Sequence, residues 1–120
     1  MKEFPNFDIE AAARRINEAN RREDELIAAR RLAAREEARR IASVLRAKDS
    51  GIRLMWGFGS VFEEYRPFRM DSDIDLALEG GDILRLLSSA EGSAFKVDLI
   101  DISDRDDQFA RWIRERGTLI

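Results

Sequence analysis

At 120 residues the chain is the size of one domain, long enough to bury a core without staples. It has no cysteine and no histidine, which excludes a disulfide framework, thiolate or imidazole metal ligands, and Ser-His-Asp or Cys-His catalysis. The formal charge of −3 is unevenly spread: residues 11–50 hold eleven Lys/Arg against seven Asp/Glu, a balance of +4, and residues 51–120 hold nine against fourteen, a balance of −5.

Met1–Phe7, with Pro5 and Asn6, reads as a short leader. No signal-peptide pattern or membrane-crossing apolar run follows, so the expected location is cytoplasmic, with no membrane partner. Asp8 suits an N-cap, and from Ile9 to about Lys48 there is no Gly or Pro. Ala, Arg and Glu dominate there, all strong helix formers. Ile27, Ala34 and Ile41 fall at heptad spacing, and Ala38 and Leu45 continue a second row. The spacing predicts one long helix, or two broken near Asn20. Forty residues at about 1.5 Å each would span about 60 Å, beyond any body of 70 residues, so the helix should pack on a second copy or a partner helix. Its arginines (Arg14, Arg15, Arg21, Arg22, Arg30, Arg31, Arg35, Arg39 and Arg40) read as a solvated, acid-interleaved face. A nucleic-acid surface is the alternative, disfavoured because no aromatic residue between Asp8 and Ile52 offers a base to stack on.

Gly51 suits a helix stop. Ile52–Phe58 reads as a strand with Ile52, Leu54, Trp56 and Phe58 on one side and Met55 on the other. The turn Gly57-Phe58-Gly59-Ser60 leads into a helical Val61–Tyr65. Gly59 would let the backbone approach a ligand, free N–H groups at a helix start attract phosphate, and the Ser60 hydroxyl adds a donor. Arg66-Pro67-Phe68-Arg69-Met70 is a loop feeding Asp71–Leu78. Read as a strand, that octet puts Asp73 and Asp75 on one face and Ile74, Leu76 and Leu78 on the other. Asp82 should cap a helix through Ser89 that buries Ile83, Leu84, Leu86 and Leu87. Phe95–Ile102 is a third strand, carrying Asp98. Ser103 or Asp104 should cap a last helix with an apolar stripe of Phe109, Trp112 and Ile113. Gly117 ends it, and Thr118–Ile120 can form a final short strand.

The expected architecture is α/β (α+β): a small mixed sheet of three or four strands with covering helices. A helical arm (residues 1–50) precedes a body (residues 51–120). Side-by-side carboxylates repel and raise each other's pKa, and a divalent cation is a common reason to keep them together. Asp98 on the neighbouring strand would bring a third acid to the spot, a hard-oxygen site for magnesium, manganese or calcium.

Gly59-Ser60, then Ser72-Asp73-Ile74-Asp75-Leu76, then Lys96-Val97-Asp98-Leu99-Ile100-Asp101 together resemble the DNA polymerase β nucleotidyltransferase superfamily. Within it the chain is most similar to the minimal (MNT-type) nucleotidyltransferases, over residues 51–120. The resemblance implies a nucleotidyltransferase fold and transfer of AMP from ATP to a hydroxyl with Mg2+ or Mn2+. It implies that Asp73, Asp75 and Asp98 are catalytic and hold the metal, while Gly59 and Ser60 contact triphosphate. It also implies a helical partner of the HEPN type, to which such proteins serve as antitoxins. Where the family carries Arg-x-x-Gly, this chain has Val61-Phe62-Glu63-Glu64-Tyr65, so Arg66 or Arg69 would have to grip the triphosphate. A catalytically silent homologue that neutralises its partner through the arm is the alternative.

Overall fold

The structure, a computed structural model, describes residues 8–120. The leader expected over Met1–Phe7 lies outside the described residues. The chain forms a mixed α+β fold: helix α1 (Ile9–Lys48), strands β1 (Ile52–Phe58) and β2 (Ile74–Gly80), helix α2 (Ile83–Ala90), strand β3 (Val97–Asp101), helix α3 (Gln108–Arg116) and a two-residue strand β4 (Thr118–Leu119). The sheet order is β3-β2-β1-β4. β1 runs antiparallel to both its neighbours, and β2 and β3 are parallel, joined through α2.

α1 is one uninterrupted helix of 40 residues, with no break near Asn20. The Asp8 carboxylate accepts a hydrogen bond from the Ala11 N–H at 3.1 Å, satisfying one of the orphan donors at the helix start. The helix ends at Asp49, ahead of the expected Gly51 stop. The Asp49 carboxylate accepts from the N–H groups of Gly51 (2.9 Å) and Asp82 (2.7 Å), so it ties the end of α1 to the start of α2. Both predicted rows are used: Ala34, Ala38, Ile41, Ala42 and Leu45 are buried, and Ile27 packs against the same cluster. The small alanines let the helix lie close to the sheet. The first half of α1 overhangs the body, with Ile9, Ile16 and Leu26 exposed, and the molecule is 73 Å long but only 30 by 18 Å across. Arg31 and Arg35 donate to the carbonyls of Arg66 (2.8 Å) and Val61 (2.7 Å), fixing where the overhang leaves the body.

The sheet has two covered faces. On one, α1 and Leu86 of α2 pack over Met55, Ile74, Leu76 and Leu78. On the other, Ala110 and Ile113 of α3 pack over Trp56, Phe58, Ala77 and Ile102. The expected facing of β1 fails at its start. A bulge at Arg53 sets Ile52 opposite Gly80 and Leu54 opposite Glu79, two residues against one. Ile52 therefore joins the α1 face, and Leu54 is left exposed. Strict alternation across the whole strand could not register this extra residue.

Four further boundaries differ from the sequence reading. Val61–Tyr65 is a run of turns, not a helix. The Gly59 carbonyl accepts from Phe62 (3.1 Å) and Glu63 (2.9 Å), one turn that does not propagate. Val61 and Phe62 are drawn into the core, and Pro67 has no N–H to extend a ladder. In α2, Leu86 is buried and Ile83 packs on the core, but Leu84 and Leu87 face solvent, because an eight-residue helix offers only one stripe. β3 is shorter than Phe95–Ile102, although the Ile102 N–H still bonds the Leu78 carbonyl at 2.9 Å. Asp107, not Ser103 or Asp104, caps α3. Ser103 is already engaged: its hydroxyl donates to Asp101 and accepts from the Gly80 N–H.

Residues 34–45 of the arm and the strands of residues 51–120 thus share one core. Leu45→Ala should lower stability by about 3 kcal/mol, since it empties a fully buried site. Among the described residues, deleting residues 1–24 removes only exposed or partly exposed side chains, so the denaturation midpoint should stay close to that of the full chain. Chemical denaturation of both variants checks this.

Candidate functional site

β2 alternates as its sequence predicts, and the alternation builds the site. Ile74, Leu76 and Leu78 face α1 and are fully buried. Asp75 therefore points to the α3 face, directly across from Phe58 on β1 and in register with Asp98 on β3. Adjacent strands lie about 4.8 Å apart, so the two carboxylates are neighbours. Asp73 sits one step outside the strand at the same end. Its carboxylate lies 3.6 Å from Lys96 Nζ, an ion pair that spans the entries to β2 and β3.

The electrostatics of Asp75 follow from this placement. Partial burial, then the charge of Asp98, then that of Asp73, push its carboxyl up to about 6, with Glu63 adding to the rise and the Arg66 guanidinium opposing it. Carboxylates thus outnumber cations around one spot, which is the donor chemistry that suits a hard divalent cation. The oxygens are not gathered into a cage, however. Among the described residues no three acidic side chains form a group ready to hold a metal ion. Lys96 holds Asp73 at the edge, so the residues fit magnesium or manganese in kind, with Asp73 having to leave its lysine to join the other two.

Gly59 adjoins this cluster closely. Its φ is +76°, and a Cβ there would overlap Oδ2 of Asp75. The close approach foreseen for Gly59 is therefore to the aspartate, and only glycine permits it at that φ. Two residues earlier, at Gly57, glycine serves a different purpose, since a Cβ there would overlap the Phe62 ring. Ser60 follows, partly buried, at the mouth of the turn. Because no helix begins after it, the expected row of free N–H groups at a helix start is absent, and any phosphate contact at Gly59-Ser60 rests on the turn and the hydroxyl.

The two arginines suggested as substitutes separate. Arg66 stands beside the aspartates. Its Nε is 3.0 Å from the buried Glu63 carboxylate, and its guanidinium lies 5.9 Å from the Tyr65 ring centroid and 5.5 Å from that of Trp112. Arg69 is exposed, and its backbone N–H bonds the Ser72 hydroxyl at 2.8 Å. Among the described residues its side chain makes no ion pair. Three residues at the site were not assigned a role from the sequence: Glu63, which positions Arg66, Lys96, which holds Asp73, and Trp112, which stacks on Arg66. Lys96 was recoverable, as it lies two residues before Asp98 and so shares its face.

No protein-family profile matches the chain, and neither the curated proteins nor the solved structures contain a detectable relative. No described helix is long and apolar enough to cross a membrane.

The folded pKa of Asp75 lies above its unfolded value near 3.8, so native protein binds the extra proton between about pH 4 and 6. Stability from this group is present below that window and lost as pH rises through 6. In chelator, Asp75→Asn should be more stable than wild type at pH 8 by on the order of 2 kcal/mol, and the gap should close by pH 4. Thermal melts across that range test the sign. Gly59→Ala should lose about 2 kcal/mol through strain and overlap, while Gly92→Ala, with open space around it, should be neutral.

Proposed function

We propose that this chain is a magnesium- or manganese-dependent nucleotidyltransferase that moves AMP from ATP onto a hydroxyl of a partner protein. On this reading it is the antitoxin of a HEPN/MNT pair. The observation that carries the proposal is the register of Asp75 against Asp98 on parallel neighbouring strands, with Asp73 at the same end and too little positive charge to balance them.

Asp73, Asp75 and Asp98 would hold the cation, which when bound neutralises the triphosphate and the charge that develops during transfer. The rest is done by the chain's own groups. Arg66 adjoins the acidic cluster, and neither of its Nη groups is hydrogen-bonded among the described residues, so it can grip phosphate oxygens. The Ser60 hydroxyl donates to the same tail. Asp98 accepts the proton of the acceptor hydroxyl as its oxygen forms a bond to the α-phosphorus. The bond from that phosphorus to the α,β-bridging oxygen breaks, and pyrophosphate leaves. Above pH 6 Asp75 is ionised and able to act as a ligand.

The test is transfer of label from α-labelled ATP, with magnesium, to a helical partner protein of the HEPN type. Wild type should label it. Asp73→Asn and Asp75→Asn should each reduce labelling at least a hundredfold while still binding the partner.

One observation favours a second reading. Lys96 already neutralises Asp73, no three-carboxylate group is assembled, and half of α1 stands clear of the body. A protein that neutralises its partner by binding through this arm, without chemistry, needs nothing else. Under that reading wild type labels nothing and binds no ATP, and deletion of residues 1–24 abolishes the complex.

A further inference from the structure

A cleft of about 580 Å3 opens between the start of α3 and the loop after β1, lined by Arg66, Asp107, Gln108, Phe109 and Trp112. Its size is that of a small-molecule pocket. The rings of Phe109 and Trp112 lie one turn apart on α3, offset-stacked with planes 11° from parallel and centroids 6.5 Å apart, and together form an aromatic ledge. Phe109 is 39% exposed, an unusual state for a phenylalanine so close to a core. Its inner edge meets Phe58 at 5.8 Å in a T-shaped contact, and Phe58 is the residue paired with Asp75. Arg66 forms the other wall, over Trp112 at 5.5 Å. Two independent routes of contact therefore connect the ledge to the acidic cluster.

The lining also sets a direction. Asp107 stands at the α3 side of the mouth and is paired with Arg105. A polyphosphate finds no unpaired cation on that side. Arg66, on the other wall, is close enough to Asp75 for its charge to act on that carboxylate. A ligand with a flat aromatic head and an anionic tail is best accommodated with its head on the ledge and its tail toward Arg66.

We infer that this cleft receives the nucleobase of the nucleotide: Phe109 and Trp112 stack on its face, the Gln108 amide bonds its edge, and Arg66 marks the border between base and phosphates. The inference rests on the nucleotidyltransferase reading and adds to it the residues that select a nucleotide over bare polyphosphate. Base–aromatic stacking is strong enough to alter affinity severalfold to a hundredfold.

Calorimetric titration of the full chain with ATP and with inorganic tripolyphosphate, each with magnesium, tests it. Trp112→Leu should weaken ATP about tenfold and Gln108→Ala about threefold, with tripolyphosphate unchanged in both. Gln108 is exposed, so its variant keeps the test usable if Trp112→Leu fails to fold. ATP affinity equal to wild type in the folded variants overturns the inference and leaves the transferase reading standing. Equal loss of ATP and tripolyphosphate also overturns it, by showing a general disturbance. If wild type binds neither ligand, the transferase reading fails first and the base site goes with it.

Discussion

The two-sided character of β2 governs this molecule. Ile74, Leu76 and Leu78 are drawn out of water against α1, and the period of two then forces Asp75 onto the opposite face. Burying three aliphatic side chains stabilises the fold by several kcal/mol, roughly 1.5–3 kcal/mol each. That gain exceeds the penalty of holding Asp75 beside Asp98. A one-residue slip of β2 would turn the carboxylate into the α1 core and take Ile74, Leu76 and Leu78 out of it, so the register is fixed by packing and the acidic pair is its consequence.

The charges left over after this packing are handled locally. Lys96 takes Asp73, and Arg66 is shared between Glu63 and the field of Asp75. Neither cation lies on the strands that carry the acids. Each comes from a flanking segment and can shift without disturbing the sheet. Arg66 belongs to the loop held at its edges by Arg31 and Arg35 of α1. The long helix is therefore coupled to the site mechanically as well as through the shared core, and a partner seated on the overhang would act close to the loop that carries Arg66.

α3 has two roles. Ala110 and Ile113 close the second face of the sheet, while Phe109 and Trp112, on the flank of the same helix, are left at a cleft edge. The sequence reading placed Phe109, Trp112 and Ile113 in one buried stripe. The helix cap falls at Asp107, three or four residues later than expected, and Ala110 joins Ile113 in the core. Trp112 still packs against that core, as expected, while Phe109 is left exposed at the cleft.

Composition excluded cysteine and histidine chemistry, the Gly- and Pro-free run specified α1, and period-two alternation placed Asp75 and Asp98 on one side of their strands. Those features are local, and local physics settles them: helix propensity acts residue by residue, and side chains on a strand must alternate. The bulge at Arg53, the loss of a helix after Ser60, the pairing of Asp73 with Lys96 and the exposure of Phe109 were decided only by the tertiary structure. Each depends on contacts between segments far apart in the chain, where the fit of Ile52, Phe62 or Ala110 into an available space outweighs what its immediate neighbours prefer.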